Sequence, residues 1–269
     1  MCTVSVISLS GERGLHLAGA AGFRVMVNRD EQRDRPAALF PRWRSVAASD
    51  PSFARAGVRA IWPIDPRGGG TWVGASDRGL VLCLLNVNPT PPPSLPPNLV
   101  SRGAIIPRLI GAEGGAGVLR ALATLDLERF APFRLVVIEP DRPGRAWRGG
   151  HVVSEAWWDR DELRVRAGLV GQACFVSSGL GDGLVAGRLA LFDQQVAGAP
   201  SPEAQERFHA HRWTGREHLS VLMSREDART VSVTTVEVAP RAAATPGVRL
   251  AYRPVYAAQR DSVAVAPLA

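Results

Sequence analysis

The chain has 269 residues, 46% of them hydrophobic and 21% charged, which is ordinary for a globular protein and excludes a disordered chain. Its formal net charge is +7, yet all 32 basic residues are Arg and no Lys occurs, so a Walker A phosphate loop, a Schiff-base lysine and a Ser/Lys dyad are excluded. The arginines are scattered rather than gathered in a stripe, so the charge is not a nucleic-acid footprint; with 27 Gly and 21 Pro it suggests a GC-rich bacterial genome.

Residues 2–9 are a short run of Val, Ile, Thr and Ser, followed by the turn signal 10–14 and a second apolar run, 15–27. They read as two strands of a hairpin. Cys2 follows Met1 directly, so loss of one residue would put a thiol and a free α-amine on the same carbon. The amine titrates near ~7.7–8.0 and a thiol near ~8.5, close enough for the amine to take the thiol proton as sulfur attacks a carbonyl. Asn28-Arg29-Asp30-Glu31 ends the second run. Neighbours on a strand point to opposite faces, so Arg29 and Asp30 cannot both face Cys2 without a bulge.

Residues 61–86 form three apolar segments punctuated by Gly68-Gly69-Gly70 and Ser76-Asp77-Arg78-Gly79, and the unbroken run 80–85 reads as a strand buried on both faces. The prolines of 88–98 exclude helix and inner strand. Ser101 is a candidate N-cap for a helix over 105–110, and a second helix is predicted over 118–130. Strands are predicted over 133–139, 151–158, 163–169 and 173–176, helices over 184–196 and 202–213, and closing strands over 230–238 and 248–255. This block order is α+β rather than a βαβ alternation, and it suggests a four-layer αββα sandwich formed by a single domain, 1–269.

Several candidates have a structural explanation instead. Cys2, Cys83 and Cys174 are widely spaced, with no CxxC pair, so neither a disulfide framework nor a zinc site is indicated. His209 and His211 lie two apart and diverge on a helix, a poor metal pair; no metal is expected. Gly114-Gly115-Ala116-Gly117 lacks the strand and spacing of a dinucleotide fingerprint. The N-terminus lacks a signal peptide's pattern and no run of ~18 apolar residues occurs, so a cytoplasmic protein without membrane insertion is expected.

The segments MCTVSVI, VNRDEQRDRPAA, WPIDPRGGGTWVGASDRGLVLCLLN and SRG at 101–103 occur in order. Together they resemble the NRDE family, also called the transport and Golgi organization protein 2 family. That family in turn resembles the cysteine N-terminal nucleophile hydrolases, the superfamily of penicillin V acylase and bile salt hydrolase, which have the αββα sandwich and cut linear amide bonds. The resemblance implies Cys2 as nucleophile, Asn86 as an oxyanion donor, and Arg229, beside Thr230, as a second active-site arginine. Asp30 is expected to orient the amine, with Asn28, Arg29, Glu31, Trp62, Trp72, Ser177 and Ser178 around the substrate. The pattern departs from those hydrolases in two places. Their Arg and Asp stand three apart, a spacing that here pairs Asn28 with Glu31, and Ser177-Ser178 replace an Asn. The implied function is an amidohydrolase or acyltransferase acting on a small acylated substrate without a cofactor. The other reading is a carrier using the same pocket for haem, acyl-coenzyme A or a related hydrophobic anion, held by Arg29 or Arg229.

Overall fold

The computed structural model describes residues 2–9, 22–46, 57–89, 91–141, 150–240 and 246–256. Among the described residues, twelve strands form two antiparallel sheets. The first, in the order β10-β1-β2-β11-β12, is built from β1 (Cys2–Leu9), β2 (Gly22–Gln32), β10 (Ala173–Ser177), β11 (Ala228–Ala239) and β12 (Gly247–Pro254). The second runs in sequence order through β3 (Leu39–Ser45), β4 (Arg59–Ile64), β5 (Val73–Ser76), β6 (Val81–Asn86), β7 (Phe133–Pro140), β8 (His151–Trp158) and β9 (Leu163–Val170).

Alternation along the strands produces the layers. Cys2, Val4, Val6, Val25 and Val27 of the first sheet pack against Val73, Ala75, Val81, Cys83 and Leu85 of the second in one buried core. The opposite side chains of the second sheet, including Leu82, Leu84, Leu135 and Val137, meet α1 (Ile105–Leu109) and α2 (Gly114–Ala123). Ile7 and Leu9 of the first sheet meet Phe192 of α3 (Gly187–Phe192) and Phe208 of α4 (Pro202–His209). The chain is therefore an αββα sandwich. The buried-on-both-faces reading of 80–85 follows from this, because β6 separates the two cores.

Element boundaries depart from the pattern for physical reasons. The predicted turn 10–14 and the start of the second strand, 15–21, lie outside the described residues. β2 continues to Gln32, so the Asn28–Glu31 stretch is part of the strand and not its solvated end. β3 has no counterpart among the predicted strands: its sequence, LFPRWRS, carries a proline and no clean alternation, as an edge strand tolerates. α2 begins at the glycines instead of at residue 118, because its first turn sits on Glu139: the Gly115 N–H donates to Glu139 Oε2 at 2.9 Å, and a Cβ on Gly114 would stand 2.8 Å from that oxygen. The predicted 184–196 helix is divided into a 3-10 turn, α3 and a π-turn over 193–197. α4 starts where expected, with Ser201 Oγ accepting the Ala204 N–H at 3.1 Å, but ends at His209.

Candidate active site

Cys2 opens β1 between two neighbours, facing Arg29 on β2 and Ser177 on β10. Its side chain points between the sheets, and at 5% exposure it is almost fully enclosed. The Cys2 N–H donates to Ser177 Oγ at 3.1 Å, so the serine hydroxyl holds the nitrogen that would become the α-amine. Burial pushes the Cys2 thiol above its ordinary pKa; the positive chain terminus and Arg29 pull it back, while Asp30 and Glu31 reinforce the rise.

A cavity of about 140 Å³ lies beside Cys2. The first sheet contributes Arg29, Asp30 and Glu31 to its wall, and the second contributes Leu84 and Asn86, with Trp72 immediately before β5. Two loops complete it. The triple-glycine loop docks on the Ser101-Arg102-Gly103 turn through backbone: the Thr71 N–H donates to the Gly103 carbonyl at 3.0 Å, and a Cβ on Gly70 would overlap the Gly103 main chain. Gly69, at φ +65°, reverses the loop and donates its N–H to the Asp65 carbonyl at 2.8 Å. Two sequence motifs thus form one wall.

Asp65 organises the charges of that wall. Its Oδ2 accepts from Arg29 Nη2 and Arg35 Nη2, both at 2.7 Å, while its Oδ1 accepts the Arg67 N–H at 3.0 Å. Burial alone would raise its pKa, but Arg29, the Arg35 hydrogen bond and the Arg67 N–H outweigh that and hold the carboxyl below the usual range. Glu31 Oε2 adds a longer contact of 3.5 Å to Arg29. The Arg29 guanidinium lies 4.2 Å from the centre of the Trp72 ring, a cation–π stack. Arg102 enters from the turn and donates to the Pro132 carbonyl at 2.8 Å.

The strand alternation sorts the Asn28–Glu31 stretch. Arg29 and Glu31 face the cavity, while Asn28 and Asp30 direct their side chains to the helix layer. Asn28, expected at the binding site, is not brought there: its amide donates to the His209 and Val221 carbonyls, each at 2.9 Å, and its Oδ1 accepts from His209 Nδ1 at 2.8 Å. Asp30 borders the cavity, but its carboxylate accepts from Thr230 Oγ1 at 2.6 Å and forms a 3.4 Å ion pair with Arg188, both on the far side of the sheet. Both groups of that pair are 1% exposed.

Other expected residues divide similarly. Asn86 and Trp72 line the cavity, whereas Trp62 does not: it faces α1 in the outer core, under Arg44 at 5.0 Å. Arg229 pairs with Glu31 across β2 and β11 but stacks on Tyr256 at 4.0 Å and does not line the cavity. Ser178 shapes the turn after β10, its N–H donating to Asp182 Oδ1 at 2.8 Å and its Oγ accepting the Leu180 N–H at 3.2 Å. His209 serves the core, not a metal, and no cluster of three or more His, Cys, Asp or Glu suited to a metal occurs among the described residues. No helix among the described residues is long and apolar enough to cross a membrane.

Asp65, Arg35 and Arg102 are the site residues that sequence reasoning missed. All three lie in or beside conspicuous motifs, Arg35 in VNRDEQRDRPAA, Asp65 in WPIDPRGGG and Arg102 in SRG. A charged residue inside a Pro/Gly-rich turn was the available signal.

The family described as Transport and Golgi organisation 2 matches residues 18–155. Among curated proteins nothing matches. Among solved structures, the chain is similar to a Caenorhabditis elegans N-acylethanolamine-hydrolyzing acid amidase ortholog, with 12% identity, 87% of this chain and 92% of that chain covered, and a TM-score of 0.48. It is also similar to a mutant conjugated bile acid hydrolase from Clostridium perfringens, with 11% identity, 99% and 96% covered, and a TM-score of 0.37.

Proposed function

The chain belongs to the Transport and Golgi organisation 2 family, and on that premise we propose that it is a cysteine amidohydrolase or acyltransferase whose nucleophile is Cys2 after removal of Met1. The observation that carries this reading is the position of Cys2, which faces a cavity across from Asn86, with its nitrogen held by Ser177. The freed α-amine takes the thiol proton, and the thiolate attacks the carbonyl carbon of an acylated amine. The Asn86 side-chain amide donates to the oxyanion as it forms. The C–N bond then breaks, the protonated α-amine returns its proton to the leaving nitrogen, and a thioester remains on Cys2. Water, deprotonated by the same amine, releases the acid and restores the thiol; an acceptor amine in its place gives acyl transfer.

The raised pKa of the buried thiol supports a need for such a base, because at neutral pH the sulfur stays protonated until a group takes its proton at the moment of attack. The carrier reading, with haem or acyl-coenzyme A in this cavity, draws less support: about 140 Å³ is well below the roughly 300–1,000 Å³ of pockets for drug-sized ligands.

Intact-mass measurement of the protein purified from its own host tests the proposal first. The expected mass lacks Met1, and incubation with small acyl-amides or acyl-thioesters adds one acyl group, which is absent in Cys2→Ala. Retention of Met1 in every molecule would sink the mechanism.

A further inference from the structure

Two buried donors of residues that line the cavity have no acceptor among the described residues: Nη1 of Arg29 and Nε1 of Trp72. The residues are 5% and 6% exposed, and the stacking of the guanidinium on the indole keeps the two groups together. Buried N–H groups are almost always paired, so two orphans on one wall point to an oxygen that arrives with a ligand. The charges agree. With the Asp30 carboxylate turned to Arg188 on the far side of the sheet, Arg29, Arg35 and Arg102 stand against Glu31 and Asp65 on the cavity side, which leaves one positive charge over. The size is also restrictive: about 140 Å³ is close to the roughly 150 Å³ cavity that holds a benzene-sized molecule.

We infer that Arg29 Nη1 and Trp72 Nε1 together bind a carboxylate carried by the acyl part of the substrate. The substrate class is then a short-chain monoamide of a dicarboxylic acid, and fatty acyl amides are rejected. The anion site stands on geometry alone; only the statement that its occupant is the acyl group being transferred rests on the acyltransfer reading. Asp65 acts here as a positioning residue for Arg29, fixing Nη2 by its 2.7 Å bond, while the Trp72 ring, besides donating its own N–H, fixes the guanidinium plane.

The test uses succinamate, a four-carbon monoamide with a carboxylate, against butanamide, which lacks it, and dodecanamide. Binding is measured by calorimetry on Cys2→Ala, which cannot turn the amide over. Succinamate is expected to bind, and Trp72→Phe in the same background, which keeps the aromatic stack and removes the N–H, is expected to weaken it about tenfold, the usual value of a hydrogen bond to a charged group. Should the double variant fail to fold, indole 15N NMR of Cys2→Ala reads the same contact: one indole N–H resonance among the seven Trp moves with succinamate and none with butanamide. Failure of succinamate to bind, equal binding by Trp72→Phe, no moving indole resonance, or preference for butanamide or dodecanamide would overturn the inference. Binding of succinamate to Cys2→Ala without acylation of the Met1-processed parent would leave the anion site standing and overturn only the hydrolase reading.

Discussion

His209 shows how one buried side chain couples stability to pH. Its Nδ1–H donates to Asn28 Oδ1 at 2.8 Å, which leaves Nε2 to accept from the Ser5 hydroxyl at 2.7 Å, while Ser5 Oγ accepts from Gln205 Nε2 at 2.8 Å. His209 and Ser5 each have one donor role and one acceptor role in it, and a second proton on the ring would break the chain. Burial, together with the charges of Arg24 and Arg188, lowers its pKa from 6.5 to about 3. Between those two values the unfolded chain binds a proton that the native chain refuses. Stability therefore rises with pH across that window, by up to about 1.4 kcal/mol per pH unit from this group, and the contribution is flat above it. Urea unfolding from pH 4 to pH 8 measures the slope, and His209→Gln is expected to remove this part of it. The residue also explains an error of reading: Asn28 belongs to a family-like motif, yet it is recruited by the core.

At the scale of elements, β2 presents two faces with two tasks. Arg29 and Glu31 serve the cavity; Asn28 and Asp30 bind the helix layer to the sheet. The period of two was legible in the sequence, as was the conclusion that Arg29 and Asp30 diverge. Which face would be inner was not, because that depends on α3, whose Arg188 donates to Thr3 Oγ1 at 2.8 Å and reaches Asp30, far away in the chain. Strands with strong alternation or continuous apolar runs were legible for the same local reason. β3, the early start of α2 and the role of Asp65 were not, since each is decided by a partner elsewhere: the edge of a sheet, Glu139, and two arginines. Arg188→Leu is expected to destabilise the protein by roughly 3–5 kcal/mol, the cost of removing one partner of a buried ion pair. Chemical denaturation measures it, and a loss under about 1 kcal/mol, the range of surface pairs, would show that α3 is not tied to β2 through this charge.

Over the whole molecule, the two helix layers are unequal. α1 and α2 cover the seven-stranded sheet, whereas α3 and α4 pack over Ile7 and Leu9 of β1 and leave a 690 Å³ groove between α4 and the outer face of β11 and β12. The cavity at Cys2 lies on the other side of that sheet, so the sandwich keeps a large outer groove and a small inner chamber apart. The chamber depends on contacts between distant segments, and the Gly70–Gly103 contact can be tested directly. Gly70→Ala is expected to cost about 1–3 kcal/mol or more as an overpacking change, measured by thermal or urea unfolding, and to open the wall that Ser101 and Arg102 share with Thr71.

That contact between two bare backbones also divides what can vary in this site from what cannot. Neither glycine can acquire a side chain unless the opposite main chain retreats, so the two positions constrain each other. The neighbouring Ser101 is exposed and carries no such mutual constraint, so it can be exchanged on an unmoved frame, whereas Thr71 and Arg102 are tied to the Val73 and Pro132 carbonyls, each at 2.8 Å. A lineage that changes its substrate would alter Ser101 and keep the glycines, much as a lock is rekeyed by its pins while the cylinder stays.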